Sequence, residues 1–416
     1  MTQRGRPRVV ITGLGALTPL GNSVGETWKG LVEGRSGIDY LTGIDVSKYP
    51  TKFGGEVRGF DPKKHMDPKE ARRMERFAQF AVAAAGEALR DAGFSINEQN
   101  AYRVGVLMGT AIGGLSATER AAKRLFVEEK KVSPFFLTSM IPNMAAFHIA
   151  YIYQARGYNS TVTTACAAGT QAVGEAAEVI RRGAADLMIC GGTESSDSEL
   201  GMAGFVSMRA FSTRNDDPAG ACRPFDKDRD GFVGSEGCAV LILESLEHAL
   251  QRGARIYAEV LGFAATSDAY HVAAPDPEAE GAQRAMRWAM ADAGIRPEQV
   301  DYINAHGTST PLGDIAETLA IKKSLGEHAY NVAISSTKSM LGHSFGATGA
   351  IEALATTLII WHQIIHPTIN YHTPDPQCDL DYVPNVARPA RVRVALSNSF
   401  GLGGQDATLV LGRYEG

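Results

Sequence analysis

Short apolar runs rich in β-branched residues recur along the chain, and longer stretches with apolar positions at helical spacing lie between them. The runs "RVVITG", "YRVGVLMG", "STVTTA", "ADLMICGG", "CAVLILES", "ARIYAEVLGF", "VDYINAHG", "NVAISST" and "RVRVALSNS" read as strands, and residues 68–92 and 278–294 read as helices between them. Ser23 followed by Glu26 is a capping signature, and the helix that begins near residue 166 closes with Arg181, Arg182 and Gly183, as the helix dipole and C-terminal glycine preferences demand. This alternation predicts an α/β fold with largely parallel sheets. A boundary near residue 250 is expected. The stretch 166–176 can be laid on 343–353, which hints at an internal duplication.

Composition narrows the class. With 416 residues the chain can bury a sizeable core over two domains or one large composite. A net charge of −5 argues against a protein dominated by nucleic-acid phosphate contacts. The five cysteines are odd in number and contain no CxxC pair, so neither a disulfide framework nor a zinc knuckle is expected; a reducing cytoplasm suits them. No signal-type core or apolar run of membrane-spanning length stands out, and no membrane insertion is expected. The loop "STRNDDPAGACRPFDKDRDGF" (212–232) is expected to be an ordered site wall.

Candidate chemistry changes this picture more than composition does. "TGLGALT" lacks the third glycine of a dinucleotide fingerprint, and "DKDRDG" lacks the bidentate acid that a calcium loop needs at its twelfth position. Cys166, between a strand and a helix, could be inert core packing. It could equally be a nucleophile, because a helix N-terminus lowers a thiol pKa and its small neighbours Ala165, Ala167, Ala168 and Gly169 leave room for a substrate. Of ten histidines, His306 in "AHGTSTPLGD" and His343 in "SMLGHSFG" stand in comparable strand-to-loop settings; the others read as surface or satisfied packing.

Four motifs in fixed order, "TACAAGT", "NAHGTSTPLGD", "SSTKSMLGHSFGATGAIEA" and "NSFGLGG", resemble those of the elongating β-ketoacyl-acyl-carrier-protein synthases, condensing enzymes of the thiolase-like superfamily. The resemblance runs from "VVITGLGALTPLG" to "ATLVL". It implies a thiolase-like layered αβαβα fold of two related halves, 1–250 with the cysteine and 251–416 with both histidines. The implied reaction is a decarboxylative Claisen condensation. An acyl chain held on Cys166 joins malonyl-acyl-carrier protein, with His306 and His343 polarising the thioester oxygen and the N–H groups of Cys166 and Phe400 forming an oxyanion hole.

Lys338 would be an orienting charge paired with Glu352, Phe400 an aromatic gate, and Thr308 and Thr310 partners for the phosphopantetheine arm, with Ile112 and Phe205 lining the substrate pocket. The resemblance implies no resident metal or cofactor, since phosphopantetheine arrives on the carrier protein. It also implies docking of that acidic carrier on Lys69, Arg72, Arg73, Lys130, Lys131 and Arg209, and a homodimer formed around "SPFF" (133–136). Where the family pattern reads "GFGGTN" this chain reads "GLGGQD", which places Leu402, Gln405 and Asp406 at unexpected sites. That departure keeps a polyketide-type ketosynthase open, and a non-catalytic chain-length subunit is the alternative from outside the enzymes.

Overall fold

The computed structural model describes residues 6–416; the first five residues of the polar lead-in lie outside the described residues. Ten strands form one sheet: β1 (Val9–Leu17), β2 (Val104–Gly109), β3 (Asn159–Val162), β4 (Leu187–Glu194), β5 (Gly237–Ser245), β6 (Ala258–Ser267), β7 (Tyr302–Asn304), β8 (Ala333–Ser335), β9 (Val394–Gly401) and β10 (Gln405–Gly412). Nine of them coincide with the apolar runs of the sequence; β10 was not anticipated. It opens on polar Gln405 and Asp406 and exists because the turn 402–404 folds it back on β9.

The sheet order is β8-β7-β9-β10-β6-β1-β5-β4-β2-β3. Each half therefore repeats one topology, β3-β2-β4-β5-β1 and β8-β7-β9-β10-β6, and the halves join through Val9–Ile11 against Ala258–Val260. The sheet is mixed rather than largely parallel. Strand β2 is parallel to β3 and β4, and β7 is parallel to β8 and β9. Strands β5 and β10 run antiparallel to both of their neighbours. The reason lies in the connections: the 402–404 turn and the long 195–236 segment return the chain from the end it left, instead of crossing over the sheet.

Helices α1 (Arg76–Asp91) and α2 (Met144–Tyr153) cover the outer face of the first half, and α4 (Glu280–Ala293) and α5 (Gly313–Leu325) that of the second. Between the halves lie α3 (Ala168–Arg181) and α6 (Thr348–His362), each touching strands of both. Every residue of α6 from Thr348 to Ile360 is buried, as its apolar character on all sides requires. The two middle helices can approach closely because a Cβ at Gly349 would stand 2.5 Å from the Thr170 nitrogen and one at Gly169 2.6 Å from that of Ala350. That approach brings the beginnings of both helices to one place.

Three local expectations change. The helix expected over 68–92 is broken into Pro68–Ala71 and α1, because Glu75 is extended so that its carboxylate meets Arg120 and Ser116. Ser23 caps its helix by accepting from the Glu26 N–H, but the Glu26 carboxylate accepts from Asn22, one residue before the reciprocal position of a capping box. The repeat also has a different register. Ala165 and Phe345, at φ 48° and 45°, open the turns that lead into α3 and α6, so Cys166 corresponds to Gly346 and not to His343. The 212–232 loop is ordered, with Phe225 buried and Asp226 accepting from the N–H groups of His372 and Thr373. Among the described residues no helix is long and apolar enough to cross a membrane.

Candidate active site

The end of β3 leads into Ala165, whose positive φ of 48° is sterically costly for a residue with a side chain, by about 1–3 kcal/mol. The turn places Cys166 one residue further on, in a short 3₁₀ segment before α3. Its sulfur lies at the floor of a cleft of about 400 Å³ whose walls include His306, His343, Thr308, Thr310 and Phe400. His343 Nε2 stands 3.0 Å from Cys166 Sγ, and its Nδ1 is 3.0 Å from Thr348 Oγ1 at the start of α6. The His306 and His343 rings are nearly perpendicular, 5.6 Å apart between centroids, and the Phe400 ring is also 5.6 Å from His306. The structure thus gathers side chains from the ends of β3, β7 and β9 and from the turn before α6.

Burial sets the electrostatics. It holds both imidazoles well below the ordinary histidine range, with the positive charge of Lys338 acting in the same direction, so both are neutral near pH 7. Burial also pushes the Cys166 thiol up, against the N–H of Leu402 and the charge of Lys338. The expected lowering by the helix N-terminus is therefore outweighed: the sulfur sits in a desolvated pocket, and desolvation penalises the thiolate more than the backbone dipoles favour it. The backbone N–H groups that favour the thiolate are those of Leu402 and of Cys166 itself.

Lys338 is completely enclosed. Its Nζ donates to Glu352 Oε1 at 2.5 Å and to the His306 carbonyl at 2.5 Å. The cation thus holds the histidine-bearing backbone while neutralising α6 from within. Burial raises the Glu352 carboxyl, and the Lys338 charge and hydrogen bond oppose that and favour its anion.

The remaining expected residues divide by place. Thr308 and Thr310 hydroxyls are 3.0 Å apart on the cleft wall. Phe205 stacks on Phe345 at 4.7 Å, and both line the cleft and, behind it, an apolar slot of about 50 Å³ that also contains Ile112. Lys69, Arg72, Lys130, Lys131 and Arg209 are exposed and do not line the cleft, although Arg209 stands between the lining residues Met208 and Ala210; Arg73 is half-buried, pairs with Glu70 and lies over the Phe135 ring.

Several contributors were not singled out in the sequence. Glu317 accepts from the N–H groups of His306 and Gly307, at 2.8 and 2.7 Å, and Glu194 accepts from Ala111, Ile112, Gly113 and Gly346. Burial pushes both carboxyls up to about 7. An acid in an otherwise buried strand or helix run was the available signal, in "CGGTES" and "DIAETLAI". His271, read as surface or packing, lines the cleft mouth and accepts from Ala273 and Ala274. His148 is buried with neither ring nitrogen partnered among the described residues, so it is not satisfied packing. Also among the described residues, no group of three or more His, Cys, Asp or Glu side chains is arranged to hold a metal ion.

A paired cysteine and imidazole at the floor of a cleft, beside a second buried histidine in a layered α/β fold, defines a thiol-dependent acyl-transfer centre. Residues 6–249 match the family profile described as beta-ketoacyl synthase, N-terminal domain, and residues 257–372 match beta-ketoacyl synthase, C-terminal domain. The chain belongs to the β-ketoacyl synthase family. It is 54% identical over 411 residues to 3-oxoacyl-[acyl-carrier-protein] synthase 2 of Synechocystis sp., covering 99% of both chains. To the protein of the same name from Staphylococcus aureus it is 51% identical, covering 98% of this chain and 99% of that one. Among solved structures, a beta-ketoacyl synthase from Burkholderia phymatum superposes with a TM-score of 0.92 at 36% identity, covering 98% of this chain and 100% of that one. A type II polyketide ketosynthase in complex with its acyl-carrier protein superposes with a TM-score of 0.90 at 37% identity, covering 99% and 100%.

Proposed function

We propose that this enzyme elongates fatty acyl chains by condensing an acyl group, held on Cys166, with malonyl-acyl-carrier protein. The observation that carries the reading is the 3.0 Å contact of His343 Nε2 with Cys166 Sγ at the end of the cleft. In the first step the sulfur attacks the acyl thioester carbonyl. The C–S bond to the carrier's phosphopantetheine breaks, and the proton of the Cys166 thiol leaves with the released thiol. The N–H groups of Cys166 and Phe400 are the proposed donors to the tetrahedral oxyanion; Leu402, whose N–H faces the sulfur, is a further one. In the second step the bond from the malonyl methylene carbon to its carboxylate breaks. Carbon dioxide leaves, and the electron pair is stored as an enolate whose oxygen accepts from His306 and His343. The carbon then attacks the acyl-enzyme and expels the Cys166 sulfur as a thiolate, which takes up one proton from solvent to restore the thiol.

Neutral imidazoles suit this step. A hydrogen bond donated by the Thr348 hydroxyl to His343 Nδ1 would keep the ring proton on Nε2, facing the reacting atoms. Thr308 and Thr310 would hold the phosphopantetheine arm, which is brought by the carrier, so no resident cofactor is needed. Lys69, Arg72, Arg73, Lys130, Lys131 and Arg209 would meet the acidic carrier. A homodimer is supported by the unpaired edge of β3 and by exposed Phe126, Phe135, Leu137, Phe147 and Tyr151. Five free thiols suit a cytoplasmic setting. The polyketide-type reading has less support, with 37% identity to the polyketide ketosynthase against 54% to the 3-oxoacyl synthase. The non-catalytic reading lacks a reason for Cys166 to face an imidazole.

Intact-mass analysis with a panel of saturated acyl-carrier thioesters, before and after malonyl carrier protein is added, tests the reading. One acyl group on Cys166, discharged as a chain two carbons longer, is the expected result; no adduct across a broad panel overturns it.

A further inference from the structure

Two carboxyl groups meet where the loops at the cleft mouth are rooted. Asp268 directly follows β6 and begins the 268–279 loop, and its N–H donates to the Gly404 carbonyl at 2.8 Å. Asp406 is the second residue of β10, just beyond the 402–404 turn, and its side chain is buried. A methyl placed on Gly281, at the start of α4, would stand 1.9 Å from Asp268 Oδ1 and 2.6 Å from Asp406 Oδ2, so both oxygens point into one small space. Neither atom has a donor among the described residues. Two carboxyl groups that face one buried space without a donor repel each other as anions, and bond to each other once one of them is protonated. A hydrogen bond between two carboxyl groups needs a proton, and only the pair itself can hold it.

We propose that Asp268 and Asp406 share one proton and form a latch, a pair of positioning residues that ties the 402–404 turn to the root of the 268–279 loop. The latch bears on the reaction because the turn carries Leu402, whose N–H faces Cys166, and directly follows Phe400 and Gly401. His271, Asp276 and Leu402 all line the cleft mouth, so an acyl arm entering the cleft passes between the two tied segments.

The charges around the pair come from several elements. From α4, Arg284 donates to the Ser267 carbonyl at 2.6 Å and favours ionisation of Asp406, while Glu280 opens the same helix. From α5, Glu317 opposes ionisation. From the loop come Asp268 itself, His271 and Asp276, and from the end of β7 comes His306. Burial and the neighbouring acid dominate, and the Asp406 carboxyl is pushed up to about 8. The sign follows from linkage: the folded pair binds its proton more tightly than a free aspartate, so the latch is complete at low pH and is lost as pH rises through about 8.

Hydrogen–deuterium exchange of the full-length enzyme, followed in peptides covering 400–406 and 266–272 between about pH 6 and 9, tests this without turnover. Dividing the rates by those of Asp406→Asn at each pH removes the intrinsic pH dependence of exchange. The amide can donate to Asp268 at every pH, so the variant's turn should stay tied. The wild-type to variant ratio is expected to rise with pH, by up to about tenfold per unit where one proton controls opening. Asp268→Asn should give the same flat reference should Asp406→Asn fold poorly. A ratio that stays constant over the whole range for either folded variant overturns the latch. The idea that the latch serves the reaction rests on the condensing reading. Its separate test is acylation of Cys166 by a carrier-borne thioester, which should share the midpoint of the exchange ratio in the wild type and lose it in Asp406→Asn. An acylation profile unchanged by that substitution removes the link to catalysis even if exchange reveals a latch, and absence of acylation at every pH counts against the condensing reading alone.

Discussion

At the turn before its middle helix, the first half of the molecule carries Cys166 behind a strained Ala165; at the matching turn the second half carries Gly346 behind a strained Phe345. The two halves share a strand order, yet only the first turn brings its second residue, Cys166, to the cleft, while the second reaches it through the Phe345 ring. The other is packed shut: a Cβ on Gly346 would stand 2.2 Å from the Ala111 nitrogen, and the Gly346 N–H is held by Glu194 of the first half. The second half contributes instead the residues around that turn, His343 three positions earlier and Glu352 six positions later, with His306 from the loop after β7 and Lys338 from the short helix Lys338–Leu341. On the proposed reading a duplicated scaffold supplies the nucleophile from one copy and the groups that polarise a carbonyl from the other, and the shared helix-start geometry brings His343 within 3.0 Å of Cys166.

The largest expected effect lies in the second half's buried ion pair. Replacing Lys338 by Ala leaves Glu352 without its partner in a dry helix and frees the His306 carbonyl, which should cost about 3–5 kcal/mol of stability in urea unfolding. Lys338→Met combined with Glu352→Leu should recover most of it. Equal loss in the single and double variants would mean that Lys338 works only through His306.

Next come the two histidines. His306→Ala and His343→Ala are each expected to slow decarboxylation and condensation by about 10²–10³-fold, the usual worth of one oxyanion donor, while single-turnover acylation of Cys166 is reduced far less. Equal loss in both half-reactions would dissolve the division of labour between the halves. Because burial keeps both imidazoles neutral, no loss of condensation from histidine protonation is expected until the pH falls well below the ordinary histidine value.

The smallest effect is at the packed turn. Gly346→Ala should destabilise by about 1–3 kcal/mol, the cost of overpacking, with the shift visible in thermal unfolding. A neutral substitution would show that the second turn keeps room for a side chain and that the asymmetry between the halves is one of chemistry alone.

Legibility followed the range of the interaction concerned. Cys166, His306 and His343 stood out because each follows an apolar strand run with small residues around it, a pattern visible within ten residues. Glu194 and Glu317 did not, since each acts on backbone N–H groups distant in sequence or across a loop, and a lone acid in an apolar run has no local meaning. The break at Glu75 was hidden for the same reason: helical spacing persists through it, and the cause is Arg120, 45 residues away.

By itself the sequence determined the α/β alternation, the nine strands with strong apolar runs and the candidates for the reacting groups, because these depend on side-chain type and local period. Tertiary structure alone decided that the sheet is mixed, that Cys166 pairs with Gly346 in the repeat, and that its thiol is raised and not lowered. Each of these turns on what a residue meets across the fold. Strand direction is set by where a connection returns, and an ionisation by how much water packing removes; neither quantity is written in the neighbouring residues.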